Sequence, residues 1–162
     1  MELDFDAPAV LGRYAQFYHV GIACRELEPA MEQIGKLFSV KWALPASGDA
    51  PNLFTPGGAV SWSARKTMSV DSRVPIELLE GSTGSTWDTG NLAVTHHAAY
   101  WSADVRADIA ELESEGWSTE LTMLDTDGNP MEFAYMSKPG LTRIELVGLQ
   151  RLPAYLALRE QP

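Results

Sequence analysis

The sequence contains a single cysteine, Cys24, which excludes an internal disulfide bond. It is also poor in basic residues, because 12 Lys and Arg stand against 22 Asp and Glu and give a formal net charge of −10. An acidic protein of this kind repels phosphate backbones, so nucleic acid is excluded as a partner. A lone cysteine suits a reducing compartment, and we expect a cytoplasmic protein.

Long apolar runs are missing as well. No stretch of about 18 consecutive apolar residues is present, so we expect no membrane-spanning helix. The first nine residues are acidic and lack the apolar core of a signal peptide. With 162 residues, of which 45% are hydrophobic, the chain is predicted to fold as one domain over residues 1–162 with a sizeable core.

The order of the predicted secondary-structure elements repeats once along the chain. In the first half we predict a strand, a helix and three strand-like runs, at residues 17–24, 26–38, 40–44, 59–68 and 74–79. In the second half the same order is predicted at residues 95–102, 104–115, 117–124, 131–137 and 141–148. This internal repeat predicts an α+β fold of two βαβββ modules, at about residues 15–80 and 95–148.

Segments rich in Gly, Pro, Ser and Asn separate these elements. Residues 45–58 are predicted to be a loop, and residues 81–91 (GSTGSTWDTGN) a linker or lid between the modules. The second segment lacks the lysine of a phosphate-binding loop. An irregular arm is predicted at 1–14, and the tail at 149–162 is predicted to contain a short amphipathic helix at 152–159.

Matched openings and endings are the clearest sign of the repeat. Residues 18–22 (YHVGI) correspond to 96–100 (HHAAY), and both modules end in an Ile-Glu-Leu triplet, centred on Glu77 and Glu145. Side chains alternate across a strand, so each glutamate points away from its aliphatic neighbours. Each half therefore carries a histidine on its first strand and a glutamate on its last.

These glutamates can simply face water, or they can face a partner inside the fold. A carboxylate enclosed on a sheet face loses hydration, which is costly unless it is paired, and Arg143 is the one basic residue on these strands. A bound divalent metal would satisfy both carboxylates together with the histidines. Such a donor set suits zinc and, with added waters, nickel, iron, cobalt or manganese.

At these residues the sequence resembles the vicinal-oxygen-chelate superfamily, which includes glyoxalase I, methylmalonyl-CoA epimerase, extradiol dioxygenases and bleomycin- or fosfomycin-resistance proteins. The runs FYHVGIAC and THHAAYW look like the opening strands of its two modules. The resemblance covers about residues 17–148. It implies two βαβββ modules that form one open barrel around a metal ion, with ligands on the first and last strands.

The resemblance also implies which residues bind the metal: His19, Glu77, His97 and Glu145. Of the adjacent His96 and His97, the second aligns with the ligand of the superfamily. Bacterial glyoxalase I has the same order of His, Glu, His and Glu, whereas methylmalonyl-CoA epimerases usually have glutamine at the position of Glu77.

The function that this resemblance implies is proton transfer next to a carbonyl of a small-molecule substrate, by a metal-dependent isomerase, epimerase or lyase. Glu77 or Glu145 would be the catalytic base. A non-haem iron oxygenase of the extradiol type is an alternative, although Glu77 would fill one of its open positions. A resistance-type protein that binds a small molecule without turnover is another. The oligomeric state stays open, a homodimer included.

Five aromatic residues are candidates for the wall of an apolar pocket around the metal: Trp62, Trp87, Trp101, Phe133 and Tyr135. Aromatic side chains are equally typical of a plain core. The candidate contacts for an anionic group of a CoA or glutathione substrate are Arg65, Lys66 and Arg73. Cys24 is expected to be buried and not to act as a nucleophile.

Overall fold

The computed structural model of the chain describes residues 16–90 and 93–160, without the side chains of residues 49–51. The arm predicted at residues 1–14 lies outside the described residues. Within the described part, no helix is both long and apolar enough to cross a membrane.

The predicted βαβββ repeat is confirmed. The first module consists of β1 (Phe17–Ala23), α1 (Leu27–Phe38), β2 (Ala46–Thr55), β3 (Gly58–Met68) and β4 (Ile76–Gly81). The second module consists of β5 (Val94–Ser102), α2 (Val105–Ser114), β6 (Ser118–Leu124), β7 (Pro130–Ser137) and β8 (Ile144–Gly148). A 3-10 turn at Leu149–Arg151 leads into α3 (Leu152–Arg159), which matches the helix predicted in the tail.

The prediction of a loop at residues 45–58 is wrong, because most of this segment forms β2. Strand β2 pairs along its length with β3, from Ala46 opposite Lys66 to Thr55 opposite Gly58. A register shift after Ala50 interrupts the pairing, and such irregularities accommodate residues that regular strands reject. The run at 40–44, predicted to be strand-like, contributes a single bridge, between Trp42 and Ser69. Long-range pairing with β3 thus outweighs the local composition.

The eight strands close into one barrel in the order β1-β4-β3-β2-β6-β7-β8-β5. The modules meet where β1 pairs antiparallel with β5 and where β2 pairs antiparallel with β6. Within each module the first and last strands run parallel, β1 beside β4 and β5 beside β8. The sheet is therefore closed, where the resemblance had implied an open barrel.

Each helix covers a different part of the barrel. One hydrophobic cluster joins α1 to Cys24, which directly follows β1, and to the outward-facing Ile76 and Leu78 of β4. A second cluster joins α2 to β7 and β8. Helix α3 lies against a third cluster that contains Met68, Trp101 and Val147. Cys24 is buried and free, as expected.

Candidate metal centre

Four side chains from four strands meet inside the barrel: His19, Glu77, His97 and Glu145. One ligating atom from each residue lies within 4.8 Å of those of the other three. The Nε2 atoms of the two histidines are 3.0 Å apart. All four residues are buried, and His97 is completely inaccessible. The structure thus brings together the four residues named from the sequence, with His97 rather than His96 facing the other three; their role as metal ligands stays a prediction.

Strand order explains this convergence. The four strands that carry the cluster, β4, β1, β5 and β8, are consecutive in the barrel. Gly21 lies at the centre, because it is in register with Glu77 on one side and with His97 on the other. Glu145 is in register with Ala99 of β5. Two parallel strand pairs, one from each module, therefore present a glutamate and a histidine to the same point.

The pairing of β1 with β5 is irregular at the cluster. Gly21 stands opposite His97, but the next residue, Ile22, stands opposite Thr95, so His96 is an extra residue on β5. A β-bulge of this kind re-aims side chains and is common beside active sites. As a result, the adjacent rings of His96 and His97 lie side by side with their Nδ1 atoms 2.9 Å apart, whereas regular strand alternation would point them to opposite faces of the sheet.

Gly21 leaves the space that the ring of His97 occupies. A Cβ atom at position 21 would lie 2.0 Å from Cε1, 2.3 Å from Nε2 and 2.5 Å from Nδ1 of His97. Contacts that short force either the ring or the strand to move. The small residue on β1 is thus a condition for the observed position of His97.

We therefore expect Gly21→Ala to displace His97, to lower the free energy of unfolding by about 1–3 kcal/mol through overpacking and to weaken metal binding. Urea unfolding and zinc titration of the variant measure the two effects. Gly48→Ala is the matched control for stability, since a Cβ atom there meets nothing within 4 Å. Unchanged zinc affinity in Gly21→Ala would contradict the assigned place of His97.

Charged neighbours shift the pKa values of three of the four side chains in the cluster. Burial alone would lower the pKa of His19, but the carboxylates of Glu77 and Glu145 outweigh burial and raise it to about 9. Burial would raise the pKa of Glu77, but Lys66 and His19 hold it below its usual range. The Nζ of Lys66 lies 3.4 Å from Oε1 of Glu77. Burial would also raise the pKa of the Glu145 carboxyl group, but the two histidines outweigh burial and lower it.

The other nitrogen of His97 faces its neighbour on the bulge. Nδ1 of His97 lies 2.9 Å from Nδ1 of His96. Nε2 of His96 lies 3.0 Å from the carbonyl oxygen of Thr86. Burial, with the positive charge of Arg143 nearby, lowers the pKa of His96 to about 4, so its ring is neutral at pH 7.

The cluster fits a divalent metal ion. Oε2 of Glu145 is buried and lies 3.1 and 3.3 Å from Nε2 of His97 and His19 but forms no hydrogen bond with the described residues. Two imidazoles and two carboxylates are the donors of protein zinc sites, and nickel, cobalt, manganese and iron accept the same set. A 2+ ion would also offset the two carboxylate charges. These residues could therefore hold the metal that the resemblance implies.

A cavity of about 580 Å³ opens onto the cluster, which is within the usual range for small-molecule sites. Most of its lining residues are apolar or aromatic, and they come from every strand except β5, from α3 and from connecting segments. The two cations among them are Lys66 and Arg151, and Arg151 lies 3.4 Å from Glu132. Lys66 is likewise paired, with Glu77, so the cavity offers an apolar wall with two pairs of a cation and a carboxylate.

Comparison with known families agrees with this geometry. The sequence profile of the Glyoxalase/Bleomycin resistance protein/Dioxygenase superfamily matches residues 18–135. The chain belongs to this superfamily. The match includes His19, Glu77 and His97 and ends before Glu145. The resemblance stated from the sequence is thereby confirmed, whereas a comparison with curated protein sequences gives no match.

Solved structures of other proteins share the superfamily fold. A methylmalonyl-CoA epimerase from Mycobacterium tuberculosis is 18% identical with a TM-score of 0.62, and the alignment covers 91% of this chain and 97% of that chain. A Streptomyces coelicolor methylmalonyl-CoA epimerase variant in complex with 2-nitronate-propionyl-CoA is 20% identical with a TM-score of 0.58, covering 82% and 96%. A Bacillus halodurans protein is 18% identical with a TM-score of 0.54, covering 82% and 93%.

Of the five aromatic residues proposed for the pocket, three line the cavity and two do not. Trp87, Phe133 and Tyr135 line the cavity. Trp62 and Trp101 do not line it: Trp62 packs against Trp87 at 6.0 Å between ring centroids, and Trp101 lies under the ring of Tyr18 at 4.0 Å.

Sequence reasoning missed several contributors to the cavity, among them Tyr18, Arg151 and Tyr155. Tyr18 lines it beside His19, because the irregular pairing of β1 with β5 also affects this part of β1. Arg151 and Tyr155, from the turn before α3 and from α3 itself, reach it from the tail. Because Tyr18 directly precedes His19, the sequence itself indicates that Tyr18 lies near the site. Nothing in the sequence of the tail indicates that it lies over the cavity.

Proposed function

We propose that this protein is a divalent-metal-dependent enzyme that moves a proton at the carbon next to a carbonyl group of a small molecule. Isomerisation, epimerisation and lyase chemistry share this step. The observation that carries the proposal is the pair of buried carboxylates, Glu77 and Glu145, which border one cavity and face the same two histidines. Carboxylates confined beside a substrate cavity are suited to act as general bases.

The surrounding residues suit the proton transfer. A divalent metal bound by the four side chains supplies Lewis-acid polarisation of the substrate carbonyl. Lys66, which lies beside the Oε1 atom of Glu77, keeps this carboxyl group ionised, and the ionised carboxylate is the form that a general base needs. The apolar walls, including Met68, Leu79 and Phe133, exclude water from the reacting carbon. Epimerisation also requires that a proton be returned to the carbon, and we assign this step to the second carboxylate, Glu145, once it has taken up a proton from solvent.

The solved structures support the reaction class. Several of them are methylmalonyl-CoA epimerases, one in complex with methylmalonyl-CoA and four with 2-nitronate-propionyl-CoA. At about 20% identity, these structures support a shared fold. We infer the reaction for this chain from its own four cluster residues, His19, Glu77, His97 and Glu145. The substrate class that we propose is an α-hydroxy- or α-acyl-carbonyl compound.

Solvent deuterium exchange tests the proposal. Protein reconstituted with zinc, nickel, cobalt or manganese, or anaerobically with ferrous iron, is incubated with a panel of α-hydroxy- and α-acyl-carbonyl compounds in deuterium oxide. We expect deuterium to enter the α-carbon of one class, observed by NMR, with the metal-loaded protein and not after chelation. Oxygen uptake that requires ferrous iron would indicate an extradiol-type oxygenase instead, and tight binding without turnover would indicate a resistance-type protein.

A further inference from the structure

His96 lies outside the four-residue cluster, yet the bulge in β5 places its ring against His97. It is 8% exposed and is bordered by the rings of His97 and Tyr135, at centroid distances of 5.2 Å each. Its two nitrogens each have a defined neighbour, Nδ1 of His97 and the carbonyl oxygen of Thr86. A buried polar ring held at both ends has one preferred arrangement of hydrogens.

The direction of these hydrogen bonds follows from the carbonyl group. The oxygen of Thr86 can only accept, so Nε2 of His96 carries a hydrogen and donates it over 3.0 Å. In the neutral ring, Nδ1 of His96 is then an acceptor. Across the 2.9 Å between the two Nδ1 atoms, His97 must therefore be the donor. The proton of His97 is accordingly held on Nδ1, and Nε2 is left to face His19 and Glu145.

We propose that His96 is a positioning residue that keeps a proton on Nδ1 of His97 and so presents Nε2 of His97 to the metal. This inference rests on the metal site of the proposed function. The second nitrogen of a metal-binding histidine is usually hydrogen-bonded, which fixes both the tautomer and the ring orientation. Here the hydrogen bonds continue to the backbone carbonyl of Thr86, in the segment between the modules, so that segment is connected to the candidate metal ligand His97 through His96.

Among the described residues of the first module, no side chain holds His19 in the way that His96 holds His97. Tyr18 precedes His19 as His96 precedes His97, and its ring packs edge-on against His19 at 4.3 Å. Nδ1 of His19 is buried and has no hydrogen-bond partner among the described residues. The tautomer of one candidate ligand is thus set by its neighbour, and that of the other is not.

NMR of the ¹⁵N-labelled full chain tests the assignment, and the chain has three histidines in all. In the wild-type protein, free of metal and loaded with zinc, we expect a ring proton on Nδ1 of His97 that exchanges slowly with water. His96→Asn keeps an acceptor oxygen near the position of Nδ1, so this signal should remain. His96→Leu keeps the bulk and removes the acceptor, so the slowly exchanging signal should be lost.

Zinc affinity, measured by competition with a chelating dye, is the second readout. We expect His96→Leu to bind zinc about 10–100-fold more weakly than wild type, the range for loss of such a hydrogen bond, and His96→Asn to stay close to wild type. A proton found on Nε2 of His97 alone in the wild-type protein would overturn the inference, and this measurement does not depend on any variant folding. Equal losses of affinity in both variants, or none in His96→Leu, would also overturn it. Zinc binding without α-proton exchange would contradict the proposed function and leave this inference standing.

Discussion

Divalent metal at about 100 times its dissociation constant is expected to stabilise the folded protein by about 2.7 kcal/mol. For a chain of this size the melting temperature would rise by about 5–10 °C. The physical reason is the metal-free cluster itself, in which two carboxylates and two imidazoles are buried within 4.8 Å of one another. An ion that binds this cluster and not the unfolded chain shifts the equilibrium toward the folded state. Differential scanning calorimetry with zinc, nickel, cobalt and manganese measures the rise.

Variants show whether the ion binds at the cluster. His97→Ala removes a central donor and should lose most of the metal-dependent rise, whatever its own stability. Glu32→Gln is a control on the surface of α1, where the Glu32 side chain is 68% exposed and pairs with Lys36. It should keep the full rise, because an exposed pair of this kind contributes little to stability. An equal rise in His97→Ala and in wild type would mean that the ion binds elsewhere.

Strand alternation was sufficient to predict which way the two glutamates point. Ile76 and Leu78 flank Glu77 and pack toward α1, while Glu77 faces the barrel interior. A shift of one residue in register would have reversed this arrangement, so the hydrophobic pattern defines it strongly. The strand period is the physical reason why this part of the candidate site could be read from the sequence.

The histidine on β5 could not be chosen by alternation. His96 and His97 are both buried, and the bulge, which places one extra residue opposite the Gly21–Ile22 step, brings their rings into contact. A bulge depends on the pairing partner, which lies in the other module and far away in sequence. The choice of His97 therefore rested on the resemblance to the superfamily, and the role of His96 became visible only in three dimensions.

Barrel closure accounts for the other differences between sequence and structure. The segment at 45–58 has the composition of a loop, but β3 on one side and β6 on the other hold Ala46–Thr55 as a strand. The wall that α3 provides, through Ala154, Tyr155 and Leu158, depends on where the tail leaves the barrel. Both features depend on contacts between residues that are far apart in sequence. Secondary-structure propensity and hydrophobic periodicity describe only short sequence windows, so they do not predict such contacts.

Replacing Glu77 by glutamine is expected to slow α-proton exchange by about 10²–10⁴-fold, the usual contribution of a general base. The amide oxygen can still bind a metal, whereas the amide group cannot accept the proton. Loss of a base acts on the transition state, so affinity for a substrate analogue should change little. Exchange rates by NMR, zinc affinity by dye competition and analogue affinity by calorimetry separate these effects, with Glu32→Gln as the matched control.

The same change at Glu145, compared with Glu77→Gln, shows which of the two carboxylates is the base. Glu145 has the shorter contact with His97, 3.1 Å against 3.7 Å for Glu77, and its Oε2 atom lacks a hydrogen bond to the described residues. We therefore expect Glu145→Gln to weaken zinc binding more than Glu77→Gln does, and also to stop exchange. If Glu77→Gln keeps most of its activity, Glu77 is a ligand only and Glu145 is the base. If both variants exchange α-protons at the wild-type rate, neither carboxylate takes the proton, and the proposed proton transfer is wrong.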